Sequence, residues 1–150
     1  MTKIYTGPMD NLPPPISINR IVWTNGCFDL IGPHHVYCLQ KAKALGKWLI
    51  VGVNDDESVR RLKGHGRPII PLEHRMAILA ALECVDLVVP FSEDTPVEIL
   101  KKLRPDVLVK GYSTNRNRVG DEFAGSVHLV PVLEGWSTTA TIERIKGIAI

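Results

Sequence analysis

The stretch that most constrains this fold is Ile21-Val22-Trp23 followed by Thr24-Asn25-Gly26-Cys27-Phe28-Asp29 and then Leu30-Ile31-Gly32-Pro33-His34-His35-Val36. An apolar run, a glycine-containing turn and a helix-patterned segment, in that order, predict a strand, a turn and a helix N-terminus. Backbone alone makes such a terminus an anion site. Its first N–H groups have no partner inside the helix, and the helix dipole adds about half a positive charge there. Pro33 suits the first helical turn, because its missing N–H is one of those orphans. His34 and His35 then fall in that turn, within reach of an anion held at the helix end. The chemistry expected here is the binding and transformation of phosphate.

The rest of the chain alternates apolar runs with helical patterns. Residues 1–19 carry Pro8, Pro13, Pro14 and Pro15 without periodicity, and read as an extended lead-in to a domain over residues 20–150. The first helix places His35, Cys38, Leu39, Ala42 and Leu45 on one stripe before Gly46. Residues 48–53 are a continuous apolar run, as in a strand covered on both faces. Asn54 to Glu57 cap a short helix, and Lys63-Gly64-His65-Gly66-Arg67-Pro68 reads as a mobile basic loop. Leu72, Met76 and Leu79 mark the next helix, which is expected to run to about Glu83, and residues 86–90 the third strand. Thr95-Pro96-Val97-Glu98 predicts a capping box with Thr95 as N-cap. Residues 107–109 and 127–132 read as the last two strands, separated by a polar loop with some local helix. Ser137 to Thr139 cap a final helix with Ile142 and Ile145 inward, and Trp48 and Trp136 read as packing residues.

Strands alternating with helices at this spacing imply right-handed βαβ units and one α/β domain, a doubly wound, Rossmann-like parallel sheet of five strands. Ligands in such sheets sit at the carboxyl ends of the strands, where the chain order reverses. The phosphate turn, the basic loop, the segment Lys110-Gly111 and the Ser137–Thr139 cap all belong to that edge on this reading.

Composition narrows the function by exclusion. A formal net charge of +2, with basic residues spread along the chain, argues against nucleic acid. No apolar stretch is long enough for a membrane span. Three scattered cysteines, Cys27, Cys38 and Cys84, fit a reducing, cytoplasmic setting without a disulfide framework. No histidine pair has metal-ligand spacing, so no protein-held metal is expected. Neither GxGxxG nor GxxxxGK[ST] occurs, which disfavours a dehydrogenase and a P-loop enzyme.

Cys27-Phe28-Asp29 with Gly32-Pro33-His34-His35 resembles the CFDxxHxGH-type signature of the nucleotidylyltransferase superfamily. Lys63 in Arg61-Leu62-Lys63-Gly64, Arg75 in His74-Arg75-Met76, and Ser137-Thr138-Thr139 are similar to its later motifs. The resemblance covers nearly all of residues 20–147. It is strongest to the adenylyltransferase domain of the bifunctional heptose 1-phosphate enzymes of lipopolysaccharide biosynthesis, through phrases such as Arg67-Pro68, Glu93-Asp94-Thr95-Pro96 and Leu108-Val109-Lys110-Gly111.

The resemblance implies transfer of a nucleotidyl group, with ATP favoured as donor, to a sugar phosphate such as heptose 1-phosphate, releasing pyrophosphate. It implies His35 and Lys63 as catalytic residues, and Cys27, Phe28, His34, His35, Arg75, Lys110, Gly111, Ser137, Thr138 and Thr139 around the nucleotide. Asp29, Lys63 and Arg67 would face the acceptor, Mg²⁺ would travel with the triphosphate, and the protein would form a homodimer or larger oligomer. The chain departs from the patterns of the superfamily at three places, one of them Val132-Leu133-Glu134-Gly135-Trp136, which lacks the Arg-Thr pair of glycerol-phosphate cytidylyltransferases and so favours the heptose-type branch. Gly32 stands where the signature has its first histidine and His34 where it has glycine, and Tyr112-Ser113-Thr114 replaces a Gly-Asp-aromatic phrase. A cytidylyltransferase for another phosphorylated small molecule, or a nucleotide-binding module with weakened catalysis, stay open beside the leading reading.

Overall fold

The computed structural model describes residues 2–112 and 117–148, so Ser113 and Thr114 lie outside the described residues. Five parallel strands, β1 (Ile21–Gly26), β2 (Trp48–Asn54), β3 (Leu87–Phe91), β4 (Val107–Gly111) and β5 (Ser126–Val130), lie in the order β3-β2-β1-β4-β5. The helices are α1 (Pro33–Lys43), α2 (Asp56–Lys63), α3 (Leu72–Ala81), α4 (Val97–Leu103) and α5 (Thr138–Lys146). This is the expected doubly wound parallel sheet with helices on both faces.

Alternation along β1 and β2 builds two cores. Val22, Leu49, Val51 and Val53 point to one face and pack with Leu39 and Ala42 of α1 and Leu79 of α3. Ile21, Trp23 and Ile50 point to the other, against Leu100 and Leu103 of α4 and against Met9, Leu12 and Ile16. The lead-in therefore covers part of the second face. It also pairs with the sheet edge, where Tyr5 N–H donates to the Val88 carbonyl at 2.9 Å and Val88 N–H to the Lys3 carbonyl at 2.7 Å. Trp23 is fully buried because β2 presents Gly52 to its ring, where a Cβ would lie 2.4 Å from Cζ2.

Three details differ from expectation. Helix α4 starts one residue late, with Pro96 as N-cap and no side-chain cap, so Thr95 does not close the expected box. Pro96 suits an early position because it has no N–H to leave unpaired. Strand β5 ends at Val130, and Val132 is 65% exposed. Helix α5 buries no residue: Ile145 and Trp136, expected inward, are about half exposed. Among the described residues the helix is left largely uncovered, tied to the body through Thr138 and the Asp29 carbonyl. No helix among the described residues is long and apolar enough to cross a membrane.

Candidate active site

Strand β1 is paired very differently on its two sides. Against β2 the register runs from Ile21 opposite Trp48 to Gly26 opposite Val53, whereas against β4 it holds only at Val22–Val107 and Trp23–Leu108. Beyond Trp23 the two strands splay. Thr24, which is buried, spans the opening by donating its hydroxyl to the Val109 carbonyl at 3.0 Å. Here the strand order also reverses, since the chain steps from β1 outward to β3 and then returns beside β1 as β4. A cleft of about 560 Å³ opens there, lined by Thr24 to Phe28, His34, His35, the end of β4 and residues 130–133.

The turn after β1 is set by two residues in left-handed conformation, Phe28 and Leu30, each at φ 51°. For residues with a Cβ such conformations cost about 1–3 kcal/mol each and persist only where surroundings impose them. Here the imposition comes from Asp29 between them. Its carboxylate accepts from Arg67 Nε at 2.8 Å, Ile69 N–H at 2.8 Å and Ile70 N–H at 2.9 Å. Burial pushes the Asp29 carboxyl up, but these three donors outweigh it and hold the group below its ordinary value. Asp29 is only 1% exposed, so the residue expected to face the acceptor instead ties the basic loop to the turn. Arg67 shares that tie through Nε and stays slightly exposed, with no bond at its terminal nitrogens among the described residues.

Arg75 requires the larger correction. Expected to meet phosphate, it is fully buried at the junction of turn, strand and loop. It donates to the carbonyls of Ile70, Cys27 and Asn54 and to the Asp56 carboxylate, at 2.6–2.8 Å. A guanidinium so enclosed has nothing left to offer a ligand. Lys110 is reassigned in the same way. Its ammonium donates to the carbonyls of Asn117 and Val119, each at 2.8 Å, and lies 2.8 Å from the Asp121 carboxylate as an ion pair. It holds residues 117–121 as a wall of the cleft, while Gly111 lines the same wall.

At the start of α1, His35 is the third helical residue and reaches back to the N-cap: its Nδ1 accepts from Gly32 N–H at 3.0 Å. That bond places the proton on Nε2 and leaves Nε2–H as a fixed donor. Burial, then the neighbouring His34, push the His35 pKa down to about 4 against the opposing pull of Asp29, so the ring is neutral near pH 7. His34 is also shifted down by burial. Cys27 lines the cleft, and burial pushes its thiol up, outweighing the charges of Lys63, Arg75 and Arg67. It is a protonated wall residue. Of those three cations, Lys63 alone carries no hydrogen bond or ion pair among the described residues. It ends α2 at the exposed foot of the loop, followed by Gly64 and Gly66 at φ 97° and 93°.

The cap of α5 adds one further element. The Ser137 hydroxyl accepts from Ala140 N–H at 3.0 Å, and Thr138 donates to the Asp29 carbonyl at 3.0 Å. A second helix N-terminus is thereby docked on the phosphate turn, with Thr139 exposed beside it. Sequence reasoning missed Asn117 and Val119 as cleft-lining residues, because they lie in the polar loop after β4 without a local pattern to mark them. No group of three or more His, Cys, Asp or Glu able to hold a metal occurs among the described residues. Asp94 is the carboxylate lining the cleft among the described residues, and it is paired with Arg61 at 2.9 Å, while Asp29 behind the turn is spent on protein partners, so the donor set does not suit a metal cage.

Comparison with known proteins agrees with this geometry. Residues 23–150 match the family model described as Cytidylyltransferase-like. The chain is 53% identical over 128 residues to the bifunctional protein HldE of Helicobacter pylori, covering 85% of this chain and 28% of that protein. It is 55% identical over 129 residues to HldE of a Nitratiruptor species, with the same coverages of 85% and 28%. The chain thus spans well under half the length of these curated relatives. The crystal structure of a lipopolysaccharide core biosynthesis protein from Thermoplasma volcanium shares the fold, with a TM-score of 0.64 at 23% identity, over 77% of this chain and 97% of that one. The match of residues 23–150 to the family model, with 53% and 55% identity to these relatives over 85% of the chain, shows that the chain belongs to the cytidylyltransferase-like family.

Proposed function

We propose that this domain transfers the adenylyl group of ATP to the phosphate of a sugar phosphate of the heptose 1-phosphate class, releasing pyrophosphate. The observation that carries the reading is the neutral His35, its Nδ1 tied to Gly32 and its Nε2–H left as a donor in the cleft. A neutral, fixed donor suits a phosphorus centre that gains charge as it is attacked. An acceptor phosphate oxygen attacks the α-phosphorus in line, the bond to the bridging oxygen breaks, and pyrophosphate leaves with that electron pair. No proton has to move and no covalent enzyme intermediate forms, so catalysis is positioning and charge stabilisation.

In this scheme His35 and the backbone N–H of His34, the one N–H left unbonded in the first turn of α1 among the described residues, hold the α-phosphate oxygens. Lys63, uncommitted beside a glycine-hinged loop, reaches the phosphates of both reactants. The N-terminus of α5, with Ser137 to Thr139, receives the β- and γ-phosphates, and Arg67 offers its terminal nitrogens to the acceptor. Mg²⁺ would come with the triphosphate, since the residues present do not cage it. The roughly 50% identity to HldE over most of the chain supports the choice of donor and acceptor class. A cytoplasmic homodimer belongs to the same proposal, and sedimentation of the purified protein tests the assembly.

Pyrophosphate release, measured with each nucleoside triphosphate against a panel of sugar phosphates, tests the reaction. ATP with a heptose 1-phosphate is expected to give the highest rate, and His35→Ala to lower it at least about tenfold, as loss of an oriented donor requires. A folded protein silent across the panel overturns the reading.

A further inference from the structure

His34 has no assigned partner in the scheme above, and its geometry is unusual. The ring folds back over Gly32, where a Cβ would lie 3.2 Å from both Cε1 and Nδ1, closer than side-chain packing tolerates without a shift. It rests against the His35 ring with centroids 3.9 Å apart and planes inclined at 40°, and both rings line the cleft. Nδ1 of His34 is buried with no hydrogen-bond partner. Buried polar atoms without partners are uncommon and call for a functional or structural reason. The ring's other nitrogen, Nε2, makes no bond within the described residues, so it is the one a ligand can use.

We propose that His34 is a phosphate-contacting residue of the triphosphate site, its Nε2–H lying beside that of His35, and that Gly32 is the positioning residue that leaves room for this pose. The inference rests on the phosphate-transfer reading and adds to it a coupled pair. Two imidazoles in van der Waals contact, each neutral and each presenting one N–H, match two oxygens of a phosphate chain without the repulsion that two imidazolium rings would suffer. Gly32 contributes only space. Its φ of −128° and ψ of −176° are extended values open to any residue, so alanine there strains no backbone and acts solely by pushing on the His34 ring.

That separation makes a clean test. His34→Ala is expected to reduce pyrophosphate release about a hundredfold, mostly in kcat and in the KM for the triphosphate, with the sugar-phosphate KM little changed. Gly32→Ala is expected to reproduce part of that loss in the presence of His34 and to cost nothing further in the His34→Ala background. Circular dichroism and melting curves confirm that each variant is folded. Independent, multiplicative losses, or a His34→Ala variant with native rates, overturn the proposal. Titration of the native protein with inorganic tripolyphosphate, followed through the imidazole NMR signals, separates this proposal from the transfer reaction. Shifts of both His34 and His35, with weakened binding in His34→Ala, uphold the pair even if no pyrophosphate is ever released. A shift of His35 alone overturns it.

Discussion

The two walls of the cleft are built on opposite principles. The wall formed by the turn after β1, with the basic loop tied behind it through Asp29, is held by buried charge. Asp29 and Arg75 are almost wholly enclosed and between them bind the backbone of Cys27, Asn54, Ile69 and Ile70. The wall formed by the end of β4, residues 117–121 and the segment after β5 is held at the surface, by Lys110 on one side and by the docked cap of α5 on the other. Around it Tyr112, Val132, Trp136 and Ile145 stand exposed. The contrast suits the two tasks that the proposed transfer would set this cleft. Charge stabilisation needs donors fixed before the substrate arrives, which enclosed ion pairs secure at a high desolvation cost. Recognition of base, sugar and acceptor tolerates a wall with fewer buried contacts.

The contrast can be broken most forcefully at Arg75. Replacement by methionine keeps much of the volume but strands the buried Asn54 carbonyl and the part-buried carbonyls of Cys27 and Ile70, while the half-wet Asp56 can recover water. A loss of about 3–5 kcal/mol in denaturant unfolding is expected, as for other buried charges deprived of a partner. A loss under about 1 kcal/mol would mean that the first wall is no better clamped than the second.

Acid provides a graded test of the same wall. The folded His35 titrates near pH 4, against an ordinary value of 6.5. Between these values the unfolded chain binds more protons than the folded one, so stability falls as pH drops from about 6.5 towards 4. Asp29, held below its ordinary 3.8, extends the loss to lower pH, because protonation removes its ties to Arg67, Ile69 and Ile70. His35→Gln keeps a side chain able to bond the N-cap and removes the titration. Unfolding measured at several pH values should show a flatter profile above pH 4 in that variant, and parallel profiles would place the native imidazole in bulk-like water.

The smallest effect is expected on the other side of the cleft. Ile145→Lys on α5 should change stability by no more than about 0.5 kcal/mol, as substitutions on exposed helix faces do. A larger loss, accompanied by a change in sedimentation, would indicate that a second copy covers this helix and that the open wall is open only in the isolated chain.

Much of this architecture could be read from local pattern. The strand, turn and helix around Asp29, the five parallel strands, the Asp55 cap of α2 and the Ser137 cap of α5 all depend on residues a few positions apart. The roles of individual charges could not be read so. Arg75 meets Cys27 and Asn54 across 48 and 21 positions of sequence, and Asp29 meets Ile70 across 41. An arginine that binds phosphate and one that gathers carbonyls look alike in a motif, because the choice depends on whether a cavity or a backbone surrounds it. The exposure of α5 was hidden for a related reason, since an apolar stripe specifies a face without saying what that face will meet.

The sequence by itself determined the period of each element, the parallel sheet and the strand-turn-helix that starts α1, because these follow from side-chain alternation and backbone geometry. Only the tertiary structure decided which charged groups stay available. Burial enforces pairing, so Asp29 and Arg75 were drawn into the scaffold, and Lys110 was tied at its surface, while Lys63 and the Nε2 atoms of His34 and His35 keep no partner among the described residues. The splay between β1 and β4 was likewise decided in three dimensions, for a strand carries no local mark of where its neighbour will leave it.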